Sequence, residues 1–204
     1  MPSSASPPSR HAQLSALRRK LILQGAQRVF EREGLEQTTI RAIAREAGCT
    51  TGAIYPWFSG KEAIYAALLE ESLERLHIHL TQALNAATAT QAARAVIQAF
   101  FHYYAERPTE FSLGMYLFQG LGQRGLGPET DARLNDRLRG CVDLLGHGLS
   151  LTKGQPVTLL DVQKMNAFTY LMGLLLLQHT RRLKSLDQQA SVLLDRFCLA
   201  QEHN

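Results

Sequence analysis

Cysteine is scarce in this chain of 204 residues: Cys49, Cys141 and Cys198 are widely spaced and odd in number. No C-x-x-C pair and no Cys/His ligand spacing occurs, so neither a disulfide framework nor a zinc site is expected. Nothing implies a metal or a cofactor. Long apolar runs are also missing. The most apolar one, Ala167–Leu177 (AFTYLMGLLLL), has eleven residues, well short of the ~20 needed to cross a bilayer. Strand signals are few, since alternating runs are rare and Ala and Leu are common, which favours an all-α fold. No nucleophile–base pair or metal-ligand constellation appears, and an enzyme is not expected. Residues 1–13, MPSSASPPSRHAQ, are rich in Pro and Ser without apolar periodicity. They read as a disordered arm rather than a secretory signal, and a cytoplasmic location is expected.

What is present starts with charge asymmetry. Residues 1–65 carry nine Lys and Arg against five acids, and the remainder carries thirteen of each sign. The whole formal excess of +4 therefore lies in the N-terminal third. A local positive field is what attraction to phosphates requires, although a solvated charged face also explains charge as such. The hydrophobic content of 45% is enough for a folded core.

The most informative stretch runs from Thr38 to Lys61, TTIRAIAREAGCTTGAIYPWFSGK. Ile40, Ile43, Ala44 and Ala47 fall at i, i+3, i+4 and i+7, one stripe of a helix. Gly48 stands where the chain must reverse, a position that often needs positive φ. Thr50 is placed to cap a second short helix. Ile54 on that helix is the expected knob against Ala44. Two closely crossing helices of this kind form a helix-turn-helix, which presents its second helix to a DNA major groove. The spacing alone also fits any tight helical corner of an all-α protein.

The residues after Gly48 narrow the reading. From about Leu21 to Leu69 the sequence, ILQGAQRVFEREGLEQTTIRAIAREAGCTTGAIYPWFSGKEAIYAALL, resembles the DNA-binding domain of the TetR family of transcriptional regulators. The shared pattern is an apolar helix ending in F-x-x-x-G, then T-[TS]-[IV]-x-x-I-A-x-x-A-G-[VC]-[ST]-x-G-x-[IL]-Y-x-[YW]-F-x-[SG]-K-E-x-[IL]. The resemblance covers about a quarter of the chain. It implies a helix N-terminus at Thr38 or Thr39 where Thr39 meets a phosphate, and an Arg41 directed at DNA. It makes Thr50, Thr51, Gly52, Ala53 and Tyr55 the exposed face of the reading helix, with Trp57 partly on the backbone-contact surface and Lys61 a phosphate partner. Phe58 goes to the core. Pro56 departs from the pattern, which usually has histidine or another residue with a side-chain donor there. Proline offers no N–H and restricts the residue before it, so the short helix is expected to end by Tyr55.

Further helices are expected from about Leu14 to Arg32 (closed by Gly34), from a Ser59–Glu62 capping box to about Leu84, over 91–105 and over 109–119. Others run along the stripe Leu134–Leu149, over about 158–183, and over about 186–201 from a box at Ser185–Gln188. The domain reading is an arm at 1–13, a DNA-binding domain at 14–65, and an effector-binding and dimerisation domain at 66–204. The resemblance implies a homodimer through the last two helices, for which Leu171, Leu175, Leu186, Ala190, Leu193, Leu194 and Phe197 are the candidates. It also implies a small-molecule pocket. Its candidates, chosen by composition, are Phe100, Tyr103, Tyr104, Phe111, Met115, Tyr116, Phe118, Phe168 and Met172, with His102 and His179 as polar members. Together these suggest an apolar or aromatic effector. The implied function is a ligand-responsive repressor of operator DNA, with an effector-independent architectural factor as the alternative.

Overall fold

A computed structural model of the chain describes residues 10–116 and 126–203. No strand occurs among the described residues, and the chain divides into two compact units, residues 1–68 and 69–204.

The first unit is built on α1 (Arg10–Gln37), α2 (Ile40–Glu46) and the first two turns of α3 (Lys61–Ala86). The expected disordered arm is corrected at its end, because Arg10–Gln13 are already helical; residues 1–9 lie outside the described residues. Ala12 and Gln13 are good helix formers, and the packed stripe Ile22, Ala26, Val29 and Phe30 propagates helix back into them. Gly34 interrupts α1 with φ 73° and ψ 162°. Its carbonyl accepts the Oγ1 hydrogen of buried Thr38 at 2.7 Å. Thr39 caps α2, accepting the Ala42 N–H at 3.1 Å. Gly48 takes φ 66°, the reversal its position predicted, and the Cys49 N–H closes back on the Ala44 carbonyl at 2.9 Å.

The second helix of the motif is shorter than expected. Thr51–Ala53 form one 3₁₀ turn, continued by turns to Trp57, and the Thr50 side chain makes no cap bond. Gly52 favours no helix, and Pro56 pushes Tyr55 away from the α region. α3 starts at Lys61, with Glu62 in its first turn, so Ser59 stands one residue outside the cap expected for it.

Two contacts hold α1 on α2. A Cβ added at Gly25 would stand 2.9 Å from the Ala47 nitrogen, so the helices touch through backbone there. Nearby, Arg28 Nε meets Glu46 Oε1 at 2.7 Å and Arg32 Nη1 meets Glu46 Oε2 at 3.4 Å. Hydrogen bonding from Arg28 outweighs desolvation and, with both guanidinium charges, holds Glu46 below the usual carboxylate range.

The second unit comprises the rest of α3, α4 (Ala92–Ala105), α5 (Pro108–Tyr116), α6 (Pro128–Lys153), α7 (Asp161–His179), α8 (Arg182–Ser185) and α9 (Ala190–His203). Gly154 ends α6 with φ 64°, as a left-handed cap. The single helix expected over 158–183 is two. Thr180 Oγ1 bonds the Leu176 carbonyl at 2.7 Å and Arg181 takes φ 58°, which breaks the chain of helical bonds. The Ser185–Gln188 box is also corrected: Ser185 Oγ donates to the Arg182 carbonyl, Asp187 has φ 53°, and α9 begins only at Ala190.

The core of this unit joins Val96, Ile97, Phe100 and Phe101 of α4 to Cys141 and Leu145 of α6, Leu171 and Leu175 of α7, and Leu194 of α9. Of the residues expected at a dimer interface, Leu171, Leu175 and Leu194 are buried within the protomer and have no surface to offer. α6 approaches α4 at Gly148, where an added Cβ would lie 2.5 Å from Val96 Cγ1 and 2.9 Å from the Ala92 carbonyl oxygen.

Candidate functional site

The turn after Gly48 has two sides. Ile54 and Phe58 point into the first unit and are buried, with the Arg19 guanidinium over the Phe58 ring at 5.5 Å. Thr50, Thr51, Gly52 and Tyr55 are exposed on the other side, and Ala53 and Trp57 are half-buried between. Tyr55 is 58% exposed, so its ring and its hydroxyl are both open to a partner. Thr39 and Arg41 are exposed on α2. The Thr39 oxygen already accepts from Ala42, but its O–H remains a donor. Lys61, expected as a phosphate partner, donates its Nζ to the Glu36 carbonyl at 2.8 Å. That bond ties the C-terminal turn of α1 to the start of α3.

The second unit contains a cavity of ≈ 310 Å³. Of the residues selected by composition, Phe100, Tyr104, Phe111, Phe168 and Met172 line it. Phe100 packs edge-on against Tyr104 and Phe168, with ring centres 5.5 and 6.1 Å apart. Burial pushes the Tyr104 hydroxyl's pKa above its ordinary value. The other candidates are placed differently or not described. His102 is exposed, Met115 packs against the core, and His179 Nε2 lies 3.0 Å from the Tyr104 carbonyl oxygen. Phe118 and the Tyr116 side chain lie outside the described residues. Sequence reasoning missed Leu69, Leu73, Gly114, Leu134, Asn135 and Leu138. The leucines fall on ordinary helical stripes, where lining a cavity and filling a core leave the same pattern.

Tyr103 belongs to a polar cluster instead. Its hydroxyl donates to Glu110 Oε2 at 2.9 Å, as does buried Ser72 Oγ at 2.6 Å, and Arg75 Nη2 meets the same oxygen at 3.2 Å. The Arg107 guanidinium covers the Tyr103 ring at 4.4 Å. Burial raises the Glu110 pKa, but the Ser72 bond, the Arg75 charge and the Tyr103 bond together leave it below the ordinary value. The folded state thus binds the Glu110 proton less readily than the unfolded state. The stability contributed by the carboxylate is present above the ordinary glutamate pKa of ~4.3 and is lost as pH falls through the lower folded value. Glu110→Gln should therefore be less stable than wild type at pH 7 in urea unfolding, and the gap should shrink below pH 4. A gap that does not change with pH would exclude an ionised Glu110 as the anchor of α5.

Cys141 contributes no chemistry. Burial pushes its thiol up to about 12, and its Sγ lies 3.5 Å from the Leu73 carbonyl oxygen, so it stays neutral. Among the described residues, no group of His, Cys, Asp and Glu is arranged to hold a metal ion.

Residues 22–68 match the family model described as bacterial regulatory proteins, tetR family. The helix-turn-helix transcriptional regulator SrpR of Pseudomonas putida is 30% identical over 177 residues, which cover 86% of this chain and 79% of that protein. The chain belongs to the TetR family. Another relative, the helix-turn-helix transcriptional regulator TtgR of Pseudomonas putida, is 43% identical over 65 residues, covering 32% of this chain and 30% of its own. The regulator FadR of Bacillus subtilis, solved in complex with stearoyl-CoA, shares the fold with a TM-score of 0.69 at 19% identity, over 90% of this chain and 97% of that one. This TetR-family chain is a helix-turn-helix regulator of transcription, and TetR-family regulators bind operator DNA and act as dimers. Among the described residues, no helix is long and apolar enough to cross a membrane.

Proposed function

We propose that this regulator is a ligand-responsive repressor whose exposed Thr50–Tyr55 surface reads operator DNA. The observation that carries the reading is the two-sided turn: Ile54 and Phe58 are buried while Thr51 and Tyr55 are exposed. It lies in the N-terminal third, which holds the whole net positive charge. Thr50 and Thr51 offer hydroxyls to bases or phosphates, Ala53 and the threonine methyls offer contacts to thymine methyls, and Gly52 permits a close approach. Thr39, Arg41, Trp57 and Lys61 flank this face as backbone or base partners. The apolar cavity is the effector site. An effector that binds better to the state with weak DNA affinity shifts the population away from DNA.

The dimer rests on α7 and α9. With Leu171, Leu175 and Leu194 buried, the interface we propose uses exposed Leu176, Leu177, Val192 and Leu199, flanked by half-buried Ala190, Leu193 and Phe197 and by exposed Leu186. Leu176→Glu combined with Val192→Glu should give a folded protein that sediments as a monomer, since burying two unpaired charges opposes association. A double variant that still sediments as a dimer would move the interface elsewhere.

A footprint on DNA flanking the protein's own gene, repeated with apolar compounds, tests the whole reading. One protected palindrome, released by a compound, is expected. Binding at many sites with little preference would instead support the effector-independent architectural role.

A further inference from the structure

A second hollow adjoins the cavity. It is a groove of ≈ 510 Å³ between α6 and α7, and Asn135, Leu138 and Phe168 line both spaces. The two are therefore neighbouring compartments with a shared wall. Their chemistry differs. Among the described residues, the cavity has no charged side chain in its lining, whereas the groove is lined by Arg139, Asp143, Asp161 and Lys164 together with apolar Val142 and Met165.

We propose that the effector is an elongated, uncharged amphiphile, its apolar end in the cavity and a neutral hydrogen-bonding end in the groove, passing the wall at Asn135, Leu138 and Phe168. The inference rests on the reading of the cavity as the effector site and adds the head-group chemistry. The groove has two cations and two anions, and its most buried charge is already matched. Lys164 Nζ lies 2.9 Å from Asp143 Oδ1 and 3.0 Å from Asp161 Oδ1. The lysine stem passes close to α6 at Gly146, where an added Cβ would meet Lys164 Cδ at 3.0 Å. The two ion pairs place the ammonium between the carboxylates. An anionic head group reaching Lys164 would meet both carboxylates, and a cationic one would meet the ammonium. Arg139 pairs with Asp136 at 3.2 Å, but both are well exposed, so this pair gives an anion little hold. A hydroxyl, amide or phenol head meets no such opposition and finds donors and acceptors at Asn135 and the paired charges.

The test uses the full-length protein and N-phenyl-1-naphthylamine, an uncharged apolar fluorophore, displaced by 1-decanol, decanoate or decyltrimethylammonium. These share a chain length and differ in head charge. Decanol should displace the probe at a concentration about tenfold or more below that of either ion, because desolvating an unmatched charge opposes binding. Asp143→Asn with Asp161→Asn frees the Lys164 ammonium and should strengthen decanoate about tenfold relative to decanol. Decanoate equal to decanol on the wild type, or unchanged by the double variant, overturns the proposal. A protein that takes up neither the fluorophore nor decanol overturns the cavity reading itself, an outcome distinct from one that binds all three compounds alike.

Discussion

Replacing Thr51 and Tyr55 together by alanine is expected to weaken specific DNA binding roughly 100-fold or more while leaving the protein folded. Each lost base or phosphate contact is worth roughly 1–3 kcal/mol, and a two-fold dimer loses each contact twice. Both side chains are exposed, so their removal should change stability by no more than about 0.5 kcal/mol. Ile54→Ala is the contrasting case. That side chain is fully buried, and its truncation should cost about 2–5 kcal/mol of stability. Gel shifts alongside thermal unfolding separate the two effects. Undiminished affinity in a folded Thr51→Ala/Tyr55→Ala protein would mean that DNA is met by some other surface.

Gly148→Ala is expected to destabilise the second unit by about 1–3 kcal/mol, the usual effect of forcing a methyl into a filled core. The sign is the informative part. Inside a helix, glycine to alanine normally stabilises by up to about 1 kcal/mol. At Gly148 the new carbon meets Val96 Cγ1 at 2.5 Å and the Ala92 backbone at 2.9 Å, so α4 and α6 must separate. Gly140 lies on the same helix, and there the new carbon meets only the His77 ring, at 3.5 Å. Gly140→Ala should therefore raise stability, with the opposite sign for the same substitution. Equal changes at the two positions in urea unfolding would mean that α4 and α6 are not packed through Gly148.

Much of the first unit was legible because short-range chemistry determines it. Thr39 caps α2 and Gly48 takes positive φ for reasons contained within a few neighbouring residues. The turn after Thr50 was less legible: an apolar residue at Ile54 fits an α-helix, but Gly52 and Pro56 reduce it to one 3₁₀ turn. In the second unit the helices were visible and their partners were not. Leu171 and Leu175 belong to a run apolar on all sides, and periodicity cannot say whether such residues face their own core or another protomer. Leu69, Leu73 and Leu138 line a cavity for the same unreadable reason. The Gly25 and Gly148 approaches were also invisible, since a glycine within a helix is marked only by the element packed on it. The break at Arg181 left no Gly or Pro as a signal, and only the Thr180 side chain bonding to Leu176 accounts for it.

Whether the Thr50–Tyr55 surface reads bases is decided by selecting bound sequences from random duplex DNA with the purified protein. Convergence on a palindrome is expected, its half-sites one duplex turn, or a multiple of it, apart. Thr51→Ala should change the preferred bases within each half-site and leave the spacing intact. A bound pool that remains random in sequence, or a consensus that Thr51→Ala and Tyr55→Ala leave untouched, would contradict a reading surface at this turn.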